Sequence, residues 1–234
     1  EIEELPGSSD CYDPTDPNDP VVLIQRELQR QGEKVFFTSQ YENPLNVEAH
    51  YQGTGAEILS DLPRVDYVFG GLGTSGSTQG VTKRLRERDA AVKLVGICAT
   101  SRDYIPGIRN KEEMLEVGLF DRALCEKIEY VSSQQGIDGM LMLATKAGVL
   151  GGPTSGACYE GALQYLRTVD ADLTERKTAV FIVCDRLEWY LSYIQERRPE
   201  LFEVQGTEQR KGAQLLSEEE VEHAEILSLA EAQT

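Results

Sequence analysis

The chain has 234 residues and a mass of 26.0 kDa; with 40% hydrophobic and 27% charged residues it can bury the core of one large domain or two small ones. Its 23 Lys and Arg stand against 40 Asp and Glu, and the resulting net charge of −17 argues against nucleic-acid and lipid partners, whose phosphates would repel it. No apolar run is long enough for a spanning helix, and the acidic start Glu1-Ile2-Glu3-Glu4 lacks the character of a signal or transit peptide.

Residues 1–20 read as a loop, because four aspartates and three prolines fall between Asp10 and Pro20. Apolar residues at 21, 24 and 28, with Gly32 as a stop, predict a helix over Val21 to Gln31. Lys34 to Thr38 is expected to be a short buried strand, and Gly55 to Leu62 a short helix. Val65 to Phe69 reads as a strand that runs into the loop Gly70 to Thr78. A helix from Gln79 to Arg88 and a strand from Val92 to Cys98 follow, a spacing that fits a βαβ crossover in a parallel sheet. Glu126 to Val131 is a strand candidate and Ser133 to Lys146 a helix. Gly148 to Gly156 is expected to be a glycine loop, followed by a helix from Ala157 to Thr168. Lys177 to Cys184 is the clearest strand, and Glu188 to Arg198 reads as a helix stopped by Pro199. Strands alternating with helices define an α/β fold. Ser217 to Ala232 is either an acidic amphipathic helix or a disordered tail.

Five cysteines, Cys11, Cys98, Cys125, Cys158 and Cys184, show no CxxC spacing, so neither a disulfide framework nor a zinc site is expected. The chain reads as reduced and cytoplasmic. His50 and His223 lie in different segments, too far apart in sequence to suggest a metal site or a triad. Asp185, Arg186 and Glu188 read as surface ion pairs, and Asp103 and Arg109 flank the Pro106-Gly107 turn.

Gly71-Leu-Gly73-Thr-Ser-Gly76 matches GxGxxG between a strand and a helix. A dinucleotide site would need a carboxylate at the tip of the next strand to hold the ribose, but that strand ends in Gly96-Ile-Cys-Ala-Thr-Ser101. The loop instead carries the hydroxyls of Thr74, Ser75, Ser77 and Thr78 among glycines. Curled main-chain N–H groups, hydroxyl donors and a helix N-terminus make a cup for a phosphate dianion, and the absence of a loop lysine excludes a Walker-type site. Gly152-Pro-Thr154-Ser155-Gly-Ala157 is a second glycine loop that presents a hydroxyl at the start of a helix; alone, it is a capping pattern.

Together these segments resemble the cysteine synthase and cystathionine beta-synthase family, which belongs to fold type II of the pyridoxal-phosphate enzymes (tryptophan synthase beta-like). Gly73-Thr-Ser-Gly-Ser77 resembles the family's GTGGT-type phosphate cup. Gly152-Pro-Thr-Ser-Gly-Ala157 resembles its GxSSGA segment, Gln40-Tyr-Glu-Asn-Pro44 its QFENP, and Gly53-Thr-Gly-Ala-Glu-Ile58 its TTGPEI. Tyr104-Ile-Pro-Gly107 sits where the family has a glycine turn near the cofactor. After Val183, Cys184-Asp-Arg-Leu-Glu-Trp-Tyr190 departs from the family's PSSGERY-like end.

The resemblance implies pyridoxal 5'-phosphate as cofactor, with Gly73, Thr74, Ser75, Gly76 and Ser77 at its phosphate. It places Thr154, or its neighbour Ser155, at the pyridine nitrogen and Gly107 near the substrate. It implies β-replacement on an activated serine, O-acetylserine or O-phosphoserine, by sulfide or by another nucleophile such as an amine. The family's Schiff-base lysine lies in an SxKxR-like segment, and the lysines at 34, 83, 93, 111, 127, 146, 177 and 211 stand in no such context. Glu1 to Gly7 resembles the stretch just past the family's small-domain loops. The chain therefore reads as one subunit of a split enzyme, as a fragment, or as a lysine-less relative that binds cofactor or peptide without catalysis. Residues 1–40 are expected to be a remnant of the small domain, 41–204 the large cofactor domain and 205–234 an acidic tail. An N-terminal half or partner subunit is expected, in a homodimer or heteromer.

Overall fold

The computed structural model describes residues 16–169 and 175–203. Of the loop expected over 1–20, residues 16–19 form a turn and Pro20 already opens a helix; the rest of it and the acidic tail lie outside the described residues. Two units are distinguished, Glu1–Arg197 and Arg198–Thr234. Of the second, residues 198–203 are described and hold one 3-10 turn, Pro199–Leu201. All elements below belong to the first.

In chain order these are α1 (Pro20–Gln31), α2 (Leu45–Gln52), α3 (Thr54–Asp61), β1 (Tyr67–Gly71), α4 (Gly76–Arg86), β2 (Lys93–Ala99), β3 (Cys125–Val131), α5 (Ser133–Ala147), α6 (Pro153–Val169), β4 (Ala179–Phe181) and α7 (Leu191–Arg197). The four strands form one parallel sheet in the order β3-β2-β1-β4. The expected α/β fold is present, with β1, α4 and β2 as its first crossover.

Both faces of the sheet are covered at β1 and β2, which explains their near-continuous apolar character. Tyr67, Phe69, Val95 and Ile97 pack on one face against Ala157, Cys158, Ala162 and Tyr165 of α6. Val68 and Leu94 pack on the other against Val81 and Leu85 of α4, with Ile58 and Leu59 of α3 beside them. Each such side chain removed from water contributes about 1.5–3 kcal/mol. Helix α5 opens with a capping box between Ser132 and Gln135 and closes at Gly148, whose φ of 67° is the left-handed conformation of a helix stop.

Three expectations are corrected. Lys34 to Thr38 is not a strand: Gly32–Lys34 is a 3-10 turn, and Val35, Phe36 and Phe37 are exposed with no strand pairing. Without a sheet edge beside it, an apolar run has no ladder to join. The strand expected over 177–184 contracts to Ala179–Phe181, because only Tyr67–Phe69 of β1 offer it partners before the chain turns at Asp185 (φ 55°). The loop expected over 148–156 ends early. Pro153, whose φ suits a first helical residue, opens α6, so Thr154 and Ser155 lie in a helical turn.

Asp66 ties the entry of β4 to that of β1. Its Oδ2 accepts the Thr178 N–H at 2.8 Å and its Oδ1 the Arg64 guanidinium at 2.6 Å, with Lys177 Nζ at 3.6 Å. Burial alone would raise the Asp66 pKa, but the Thr178 N–H, Arg64 and Lys177 outweigh it and hold it below the ordinary 3.8. A depressed carboxylate stabilises the fold above its unfolded pKa and loses that contribution as pH falls through the folded one. Asp66→Asn is therefore expected to cost roughly 1–2 kcal/mol near neutrality, and the gap to wild type is expected to close below about pH 4. Urea titrations at both pH values check this; a gap that persists in acid refutes it.

Candidate functional site

The site forms at the carboxyl ends of the strands. The sheet order reverses around β1, since the chain goes from β1 to β2 on one side and β4 joins on the other, and ligands of open α/β sheets bind outside such a switch point. The loop that leaves β1 there is Leu72 to Ser75, and α4 begins at Gly76.

Ser75 occupies the cap position of α4 in the left-handed conformation (φ 68°) and makes no side-chain cap bond. The first N–H groups of a helix have no intrahelical partner, so this end remains a donor cluster at the positive end of the dipole. Thr74 Oγ1 faces the Gly76 N–H at 3.3 Å. Thr78 turns inward and donates to the Ser75 carbonyl at 3.1 Å. Ser75 Oγ is buried and has no hydrogen-bond partner among the described residues. The cup contains no acidic side chain, so its donors suit a dianion, and the unspent Ser75 hydroxyl fits that chemistry.

Ser75 is also strained. A left-handed non-glycine residue costs about 1–2 kcal/mol and an unpaired buried hydroxyl about 1–3 kcal/mol. Ser75→Gly is expected to stabilise the chain by about 1 kcal/mol or more, which raises the melting temperature by about 2–4 °C for each kcal/mol. Thermal denaturation followed by circular dichroism would show this; a lower melting temperature in the variant refutes it.

Backbone pairing carries the second segment to the cup. Arg109 N–H donates to the Leu72 carbonyl at 2.8 Å and Ala99 N–H to the Arg109 carbonyl at 3.0 Å. The turn before Arg109 holds Gly107 at φ +91°. A Cβ at Gly73 would stand 2.6 Å from the Gly107 carbonyl oxygen, and one at Gly107 would stand 2.8 Å from Thr154 Oγ1. Gly73, Gly107 and Thr154, far apart in sequence, therefore meet.

Thr154 Oγ1 donates to the Pro106 carbonyl, which seats the start of α6 on this turn. Ser155 is fully buried, and its hydroxyl is consumed: it donates to the Cys184 carbonyl at 2.8 Å and accepts the Cys184 N–H at 2.7 Å. Of the two hydroxyls expected near the cofactor ring, Thr154 is the one beside Gly107. Gly76 and Ser77 form the first turn of α4.

Sequence reasoning missed Asn46, which donates to Thr74 Oγ1 at 3.0 Å. It lies two residues past the Gln40–Pro44 motif, and that proximity was its only signal. The side chains of the other flagged residues are engaged as follows. His50 bonds Thr54 at 3.1 Å. Asp103 accepts the Ser133 N–H at 2.6 Å, and Arg109 lies over the Tyr41 ring at 5.1 Å. Asp185 accepts the Tyr190 hydroxyl, while Arg186 pairs with Glu188 at 2.7 Å. His223 and Cys11 are outside the described residues.

Cys98, Cys125 and Cys158 are buried free thiols, and burial pushes Cys98 and Cys158 up to about 12, so they serve as core residues. Lys34, Lys83, Lys111 and Lys146 are exposed, and Lys211 lies outside the described residues. Lys93 pairs with Glu126, Lys127 with Glu129, and Lys177 with Glu175 and Asp66. Lys93 and Lys177 lie at the amino ends of β2 and β4, opposite the cup. Among the described residues no helix is long and apolar enough to cross a membrane, and no cluster of His, Cys, Asp and Glu could hold a metal ion.

A parallel sheet covered on both faces, with a glycine–hydroxyl cup after β1 and a hydroxyl at the start of α6, is the architecture of the type II pyridoxal-phosphate fold. The chain belongs to the pyridoxal-phosphate dependent enzyme family, whose pattern matches residues 8–185. It is 33% identical over 154 residues to cysteine synthase B of Salmonella typhimurium, covering 65% of this chain and 49% of that enzyme. It is 29% identical to the cysteine synthase of Aquifex aeolicus, covering 77% of this chain and 56% of that one. Its fold superimposes on a hydrogen sulfide-producing enzyme from Fusobacterium nucleatum with a TM-score of 0.64 and 28% identity, over 73% of this chain and 60% of that one. The chain spans about half the length of the curated relatives it matches.

Proposed function

We propose that this chain supplies the cofactor-phosphate half of an enzyme that replaces the β-substituent of an activated serine, O-acetylserine or O-phosphoserine, by sulfide or another nucleophile such as an amine. The meeting of the Gly73–Ser77 cup, Gly107 and Thr154 carries this reading, and the cysteine synthase relatives support it. In this reading residues 41–204 are the cofactor domain, 1–40 belong to the smaller domain and 205–234 are a tail. The N–H groups of the first α4 turn, with the Thr74 and Ser77 hydroxyls, hold the phosphate dianion. Thr154 sets a neutral hydroxyl, already donating to Pro106, at the far side of the site. The Gly107 turn closes one wall and limits water around the reacting carbons. When bound, pyridoxal phosphate supplies the electron sink that lets the α-proton leave and the β-substituent depart.

No lysine of this chain, Lys211 included, stands in an SxKxR-like context; in this reading the lysine that anchors the cofactor comes from polypeptide outside this chain, a preceding segment or a separate subunit. The substrate is a small amino acid.

Equilibrium dialysis and borohydride reduction test this. The expected result is saturable binding of pyridoxal phosphate to the chain, with no lysine of this chain covalently trapped by borohydride. Trapping is then expected when a lysine-bearing N-terminal half of a relative is added. No saturable binding would overturn the cup, and trapping on a lysine of this chain would overturn the external anchor.

A further inference from the structure

Asn46, the second residue of α2, joins two parts of the site through one carboxamide. Its Nδ2 donates one hydrogen to the Gln40 carbonyl at 2.8 Å and the other to Thr74 Oγ1 at 3.0 Å. The approach is close because Gly76 has no side chain: a Cβ there would stand 2.0 Å from Asn46 Oδ1.

The second bond determines what Thr74 can do. A hydroxyl oxygen has two acceptor sites and one hydrogen. Asn46 Nδ2 and the more distant Gly76 N–H, at 3.3 Å, take the acceptor sites. The Thr74 hydrogen must then point away from both, and no described residue accepts it. Thr74 is thereby preset as a donor, whereas an untethered threonine would sample three rotamers and both hydrogen-bonding roles.

We propose that Asn46 is a positioning residue: it fixes the Thr74 hydroxyl as a donor to a phosphate dianion in the Gly73–Ser77 cup and couples that cup to the Gln40–Asn43 segment. The inference rests on the phosphate cup of the proposed function and adds the residue that orients it. Asn46 itself touches no ligand.

The test compares pyridoxal phosphate with pyridoxal, which lacks the phosphate, by equilibrium dialysis against the full chain. Asn46→Ala is expected to weaken pyridoxal phosphate binding by about tenfold, one charge-assisted hydrogen bond, and to leave pyridoxal binding unchanged. Asn46→Asp keeps the shape but offers no donor and adds a negative charge, so it is expected to weaken binding further. Thr74→Val and the double variant with Asn46→Ala complete the cycle. If Asn46 acts through Thr74, the double variant binds no more weakly than Thr74→Val alone. A merely structural role would lower the affinities for both vitamers together and add to the effect of Thr74→Val; either result overturns the inference, as does an unchanged Asn46→Ala. Wild-type chain with no preference for the phosphorylated vitamer overturns the cup and the inference with it.

Discussion

Gly156→Val is expected to lower the melting temperature by about 6–12 °C, the equivalent of about 3 kcal/mol in a chain of this size. Helices α5 and α6 approach each other through small residues. A Cβ at Gly156 would stand 1.9 Å from the Gly136 carbonyl oxygen and 2.4 Å from the Met140 nitrogen. Both are backbone atoms of a packed helix, so no rotamer change relieves the overlap, and one helix must move. Ile137 and Met140 of α5 are fully buried, so any shift also opens their packing. Gly156→Ala is expected to act in the same direction with a smaller amplitude, because one carbon already makes the overlap. Thermal denaturation of the two variants checks both; a valine variant that melts within about 2 °C of wild type would show that the helices are not held this closely in solution.

Gly73→Val is expected to weaken pyridoxal phosphate binding by about a hundredfold or more, which is about 3 kcal/mol, with a much smaller effect on stability. The first side-chain carbon at Gly73 would stand 2.6 Å from the Gly107 carbonyl. Gly107, in turn, lies against Thr154 and takes a positive φ that only glycine adopts readily, so the turn cannot recede. The loop must lift, and its N–H groups then leave the geometry that a dianion needs. Gly73 itself is half-buried at the end of the strand, so the sheet below is spared. Equilibrium dialysis alongside a melting curve separates the two effects. Full affinity in the variant would place the phosphate elsewhere.

The sequence showed the parts of this site whose chemistry is local. The glycine–hydroxyl run of residues 73–77 follows a strand and enters a helix, the context that a phosphate cup requires. Strands β1 and β2 were legible because both faces of the sheet are buried there, so their residues run almost wholly apolar, whereas β3, at the sheet edge, carries Glu126, Lys127 and Glu129. Other features depended on partners distant in the chain. Lys34 to Thr38 has the composition of a strand but no neighbour with which to pair. Residues 177–184 have the same composition, but their length as a strand is set by the few residues of β1 that face them. Helix α2, Leu45–Gln52, went unread because Leu-Asn-Val-Glu-Ala-His-Tyr-Gln presents no apolar stripe and buries no side chain fully. Asn46 went unread with it, because its contact with Thr74 spans 28 positions. The choice between Thr154 and Ser155 was likewise undecidable from two adjacent hydroxyls. Cys184, whose backbone occupies the Ser155 hydroxyl, lies 29 positions further along the chain.

That occupancy makes Ser155 a two-way latch. One hydroxyl gives to the carbonyl and takes from the N–H of the same residue, so the chain just past β4 and the opening turn of α6 are tied to each other by a pair of bonds. Fraying of the helix start and release of the sheet's short edge strand are thereby coupled, with Asp66 holding that strand's entry and Ser155 the chain past its exit.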